Sequence, residues 1–137
     1  MLFYRSGSKG KRVKAEELVS QYKAGKRDFS GAVLAGVNLR GADLSGIALR
    51  KADLRFANLR EADLSDADLG DANLIEADLR GTVLCSANLS KAVLWLAEPL
   101  GADLEGANLR GAKVAGAQLT RAASLKGATL PDGTVHE

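Results

Sequence analysis

Residues 32–94 read AVLAG VNLRG ADLSG IALRK ADLRF ANLRE ADLSD ADLGD ANLIE ADLRG TVLCS ANLSK AVL, and leucine stands third in every group of five. The period runs on in both directions. Its centres are Phe29, Leu34, Leu39, Leu44, Leu49, Leu54, Leu59, Leu64, Leu69, Leu74, Leu79, Leu84, Leu89 and Leu94, then, beyond Pro99, Leu104, Leu109, Val114 and Leu119. A straight α-helix turns about 100° per residue, so side chains five apart would fall roughly 140° apart and spread around every face. A flat strand would alternate them between its two faces. A chain that turns a corner once per five residues keeps every centre on the inside, together with the residue two before it, which is usually alanine. Coils stacked at the strand spacing of about 4.8 Å then form a β-solenoid, an all-β architecture with a continuous leucine column. One large and one small side chain per side fill the interior, which excludes a pore. Glycine recurs two residues after the centres, as at Gly36, Gly41 and Gly46, where a corner needs positive φ.

The strings ADLSG, ADLRF, ANLRE, ADLSD, ADLGD, ANLIE, ADLRG and ANLSK resemble the A(D/N)LXX motif of pentapeptide repeat proteins. The resemblance runs in one register from Asp28 to about Thr120, with Pro99 as the one broken centre. It implies a right-handed quadrilateral β-helix with four repeats per coil, about five coils and about 24 Å tall. Spacing alone leaves three- and four-sided coils open. The segment YKAGKRDFSGA leading into the first repeat also resembles the start of short cyanobacterial members.

Four segments are expected. Residues 1–13, MLFYRSGSKGKRV, read as a basic flexible arm; residues 14–25 as an N-terminal capping α-helix; residues 28–130 as the solenoid; residues 131–137 as a C-terminal tail. The helix is marked by Ala15, Leu18, Val19 and Tyr22 at i, i+3, i+4 and i+7, by early Glu16 and Glu17, by late Lys23, and by Gly25 beyond. Its apolar stripe would cover the open end of the first coil. Past Leu119 the spacing slips by one to Leu125 and Leu130, and PDG at 131–133 reads as a turn. No second helix is expected there, which leaves an open end for another copy. Pro99 lacks the N–H for a ladder bond, so Trp95 to Gly101 should either loop out of the coil or fold Trp95, Leu96 or Leu100 back into the gap.

Composition is poor in catalytic material. The lone histidine, His136, is next to last, in a segment expected to be disordered, and the lone cysteine, Cys85, follows a centre and should face outward. Neither a catalytic triad nor a histidine metal site can be assembled, so no catalytic, cofactor or metal residues are expected and the chain is not expected to be an enzyme. GSKGKR at 7–12 lacks the spacing of a phosphate loop. No apolar run is long enough to span a membrane, and no signal-peptide pattern is seen, so a cytoplasmic protein is expected.

Charge is unevenly placed. The first 27 residues carry eight Lys or Arg against two Glu, and the remainder eleven against fifteen Asp or Glu. Residues 53–78 hold eight acids (Asp53, Glu61, Asp63, Asp66, Asp68, Asp71, Glu76, Asp78) and two arginines, an acidic belt. With four repeats per coil, residues twenty apart stack. Arg40, Arg60 and Arg80 then share a column that could take an anion or an acidic partner. Phe56, Ile75, Trp95 and Leu96, with Leu100 close by, form an exposed apolar patch.

A non-catalytic scaffold or protein-protein interaction module follows, with a protein partner of unknown identity or a second copy meeting the patch or an open end. The alternative is a regulatory DNA mimic or nucleic-acid-related protein. The resemblance offers it, since quinolone-resistance members of the family are thought to mimic DNA and occupy gyrase. This chain departs from them in its short solenoid, slight positive charge and nearly uniform leucine centres, so nucleic acid is not the expected partner.

Overall fold

The computed structural model describes residues 10–137. The first nine residues of the expected basic arm lie outside that range. Every parallel bridge from Asp28↔Ala48 to Val93↔Lys113 joins a residue to the one twenty later. The coil therefore has four sides of five residues each, and each side contributes a single bridged residue flanked by turns. Runs this short cannot form long strands, so the sheet is built across coils rather than along the chain.

Each corner is a tight turn. The amide two residues after the corner's first outward residue bonds back to the centre's carbonyl, as in Ala52 N–H to Leu49 O at 3.1 Å and Ala57 N–H to Leu54 O at 3.1 Å. The third turn residue has φ near +60° to +70°, the signature of a type II turn. Glycine takes this φ without cost at Gly46 (+71°), yet Phe56 and Leu96 adopt it too, both at +62°.

The centres line the interior as the period predicts. Leu34, Leu44, Leu49, Leu54, Leu59, Leu64, Leu69 and Leu74 are completely buried, and the inner alanines Ala52, Ala57, Ala62 and Ala72 fill the space between them. Two centres near the far end are less enclosed: Leu119 is still buried, but Val114 is only partly so.

Helix α1, Ala15–Lys23, lies at the open end of the first coil with Leu18 fully buried and Ala15, Val19 and Tyr22 packed against the core. The Tyr22 hydroxyl donates to the Ser45 carbonyl. Immediately before α1 the chain is part of the sheet rather than of a loose arm. Val13 N–H donates to Val33 O at 3.1 Å and Val33 N–H to Lys11 O at 2.9 Å, satisfying a strand edge that α1 leaves open.

The expectation for Trp95 to Gly101 is overturned on both counts. The segment neither bulges nor folds an aromatic inward: Pro99 itself points into the core and is buried, while Trp95, Leu96 and Leu100 are exposed. Asp78↔Glu98 keeps the twenty-residue register, and Gly81 N–H still reaches Leu100 O at 3.0 Å. The physical reason lies one coil further on. A centre's N–H donates to the residue nineteen later, as Leu94 does to Lys113 O. Above Pro99 that place is occupied by a single helical turn, α2, Gly116–Leu119. The missing donor thus falls where the ladder is interrupted anyway. The same turn absorbs the one-residue slip, since bridges beyond it, Asp103↔Ser124 and Asn108↔Thr129, are offset by twenty-one. Gln118 repairs what it can. Its main-chain N–H is spent on Ala115 O, but its side-chain Nε2 donates to Leu94 O at 2.8 Å and Ala97 O at 2.9 Å. Proline is smaller than leucine, and a void of about 20 Å³ lined by residues such as Leu79, Leu94, Pro99 and Leu104 remains beside it.

The C-terminal residues also differ from a disordered tail. Thr129 pairs antiparallel with Val135, and His136 exchanges bonds with Gly127 and Ala128, so the last residues fold back on the stack's edge.

Candidate functional surface

The side running from Leu94 to Pro99, with its counterparts in other coils, collects the residues singled out in the sequence. Its middle is the bridged column Asn38, Asn58, Asp78 and Glu98. One edge carries Phe56, then Ile75 and Glu76, then Trp95 and Leu96, stacked through Phe56 N–H to Ile75 O and Glu76 N–H to Trp95 O, each 3.0 Å. The other edge carries Arg40, Arg60, Arg80 and Leu100, joined by the bonds from Gly41, Glu61 and Gly81 to the carbonyls of Arg60, Arg80 and Leu100. Leu100 thus extends the arginine column rather than standing beside Trp95.

Exposure sets this side apart. The large apolar side chains most exposed among the described residues are Leu96 (73%), Val135, Phe56 (56%), Leu100 (49%) and Trp95 (46%), and all but Val135 flank this one side. Ile75 is half-buried.

The arginines are not equivalent. Arg80 clamps Asp78 through two bonds, 2.7 and 2.9 Å, and that clamp holds the Asp78 carboxyl below its ordinary value. Arg40 reaches Glu61 at 3.4 Å. Among the described residues Arg60 forms no ion pair, and its Nε is buried without a hydrogen-bond partner. Internal pairing thus leaves Arg60 as the column's one arginine without an ion pair among the described residues, although its charge still helps to lower the Asp78 pKa.

The acidic belt is partly internal as well. Asp and Asn beside the centres accept the main-chain N–H two residues on, as in Asp63 with Ser65 (3.0 Å), Asp68 with Gly70 (3.1 Å) and Asn58 with Arg60 (3.1 Å). A short carboxylate or amide closing a turn on its own backbone is the chemistry that selects these residue types. Asp53 is buried and held by Arg55 at 2.7 Å, and Arg50 reaches past Gly70, where a Cβ would collide with it, to Asp68 and Asp71 at 3.2 Å. Five of the eight belt acids thus carry an arginine partner: Asp53, Glu61, Asp68, Asp71 and Asp78.

Two features escaped sequence reasoning. The Asp53–Arg55 pair looks like any acid and base two apart. Gln118 was detectable only by combining the slip after Leu119 with the proline nineteen residues before it. Cys85 is half-buried rather than fully outward, and burial, with help from the Asp103 carboxylate, pushes its thiol up to about 11, which makes it a poor nucleophile. A groove of about 550 Å³ also opens between α1 and the first coil, lined by Glu16, Val19, Lys23, Asn38 and Arg40 among others. Among the described residues no group of His, Cys, Asp and Glu is placed to hold a metal ion, and no helix is long and apolar enough to cross a membrane.

Comparison with known proteins agrees with this geometry. The profile of the family described as Pentapeptide repeats matches residues 28–66, 62–94 and 100–123, in eight copies. Among solved structures, alr5209, a pentapeptide repeat protein from Nostoc PCC 7120, is 38% identical over 76% of this chain and 81% of its own, with a TM-score of 0.43. HetL, a pentapeptide repeat protein involved in heterocyst differentiation regulation in Nostoc sp. strain PCC 7120, is 26% identical over 90% of this chain and 100% of its own, with a TM-score of 0.29. QnrB1, a plasmid-mediated fluoroquinolone resistance protein, is 18% identical over 77% of this chain and 60% of its own, with a TM-score of 0.55, a likeness of fold alone. No curated protein matches the chain.

Proposed function

Because the chain belongs to the pentapeptide repeat family, whose members imply a right-handed quadrilateral β-helix, we propose that it is a non-catalytic protein-protein interaction module of about five coils. The side bearing Phe56, Trp95, Leu96 and Leu100 presents its binding surface. One observation carries the reading. Phe56 and Leu96 hold large exposed apolar side chains at corners with φ +62°, where a bulky residue is strained and glycine would sit freely. Each leaves more than half of its surface in water, and exposed apolar side chains gathered on one side mark an interface. A cytoplasmic setting belongs to the same reading, since the sequence has one cysteine and no long apolar run.

DNA mimicry is the weaker reading, because five of the eight belt acids are paired with four arginines within the chain. A photo-crosslinking residue placed at Trp95, and separately at Glu105 on the diagonally opposite corner, tests the choice of surface in the cells the protein comes from. Crosslinked protein products are expected from position 95 and not from 105. Equal labelling at both positions, or none at 95, would overturn the proposal.

A further inference from the structure

The two edges of this side match each other coil by coil. In one coil Phe56 stands across from Arg60, in the next Glu76 across from Arg80, and in the third Leu96 across from Leu100, each pair four residues apart in sequence on opposite edges. A two-fold axis lying in the plane of contact and parallel to the stack keeps each residue at its own height and exchanges the two edges. From this we infer that the partner of the proposed surface is a second copy of the chain, docked side to side and parallel. The inference rests on the proposed interaction surface and names its occupant.

The chemistry is complementary at these three levels. Leu96 of one copy meets Leu100 of the other, joining side chains that are 73% and 49% exposed in the single chain. Arg60, which has no ion-pair partner of its own, is set over the ring of Phe56, and a guanidinium on an aromatic face is attractive. Glu76, exposed and without an ion pair among the described residues, faces Arg80. Near the axis Asp78 and Glu98 approach their own counterparts, each held by an arginine: Asp78 by Arg80 at 2.7 Å, a guanidinium it then shares with the partner's Glu76, and Glu98 by Arg121 at 2.9 Å. The contact is isologous, so every pair occurs twice and the assembly closes at two chains.

A side one repeat wide buries less than a standard interface, so the dimer falls in the transient class and is sought up to high-micromolar concentration. Light scattering on the full chain is expected to rise toward twice its 14.3 kDa mass over that range. Leu96→Glu alone and Leu100→Lys alone should each leave a monomer with an unchanged circular dichroism melt, since both side chains are on the surface. The chain carrying both substitutions should dimerise again, because each introduced charge then faces its opposite across the contact. A wild type that stays monomeric, single variants that still dimerise, or a double variant that folds but stays monomeric would each overturn the inference. If the wild type stays monomeric while crosslinks from position 95 run to a different protein, the self-docking inference fails and the proposed surface stands.

Discussion

Asp78 shows how much a single repeat position does. Its carboxylate accepts the Arg80 main-chain N–H at 3.2 Å, closing the turn, and both its oxygens take the Arg80 guanidinium. Side-chain bonding to Arg80 is the largest of the effects that lower its pKa from 3.8. A carboxyl whose folded pKa is depressed contributes stability that is complete above its unfolded value and is lost as pH falls through the folded one. The pair should therefore support the fold at neutral pH and down to about pH 4, then fade in stronger acid. Arg80→Gln removes the largest cause. In an NMR titration the Asp78 carboxyl of that variant should move up toward 3.8, while an unchanged midpoint would show that the guanidinium does not set it. Glu98 is lowered in the same sense by Arg121, and its Oε2 accepts the Leu100 N–H at 2.9 Å, so a longer acid does there what Asp does elsewhere.

At the scale of one element, α2 is where the repeat departs from its own rule and compensates. Pro99 withholds a donor, the next coil turns helical above it, and the Gln118 amide supplies the bond to Ala97 O that a regular main chain would have made. Replacing that amide with an apolar group of similar size leaves a carbonyl facing the core without its donor. Gln118→Leu is expected to lower unfolding stability by about 1 to 3 kcal/mol, read from the midpoint of a chemical denaturation curve. A midpoint equal to wild type would mean that the last coil relaxes without it.

Across the whole molecule, stability is the sum of coil-on-coil contacts, because no single coil can bury its leucines. Leu69 is fully buried in the middle of the stack, with neighbours above and below. Leu69→Ala should cost about 2 to 5 kcal/mol as a cavity it cannot collapse, measured by thermal or chemical unfolding. Leu69→Asp buries an unpaired charge and should abolish the cooperative melt. A melt unchanged by the aspartate would displace residue 69 from the core and with it the five-residue register.

Periodicity made the interior legible. Leucine every fifth residue, alanine two before it and a short acid or amide between them specify an inward column, a small companion and a self-closing turn, all local decisions taken within five residues. The stacking of Arg40, Arg60 and Arg80 followed once four repeats were assigned to a coil. What sequence could not decide depended on atoms twenty residues away. Whether Pro99 would break the coil was settled by what the next coil places above its missing N–H. Whether Arg40 was free was settled by the Glu61 carboxylate that the stack brings within reach. Leu100 joined the arginine edge because a side has two edges, and only the folded coil says which of them a residue occupies.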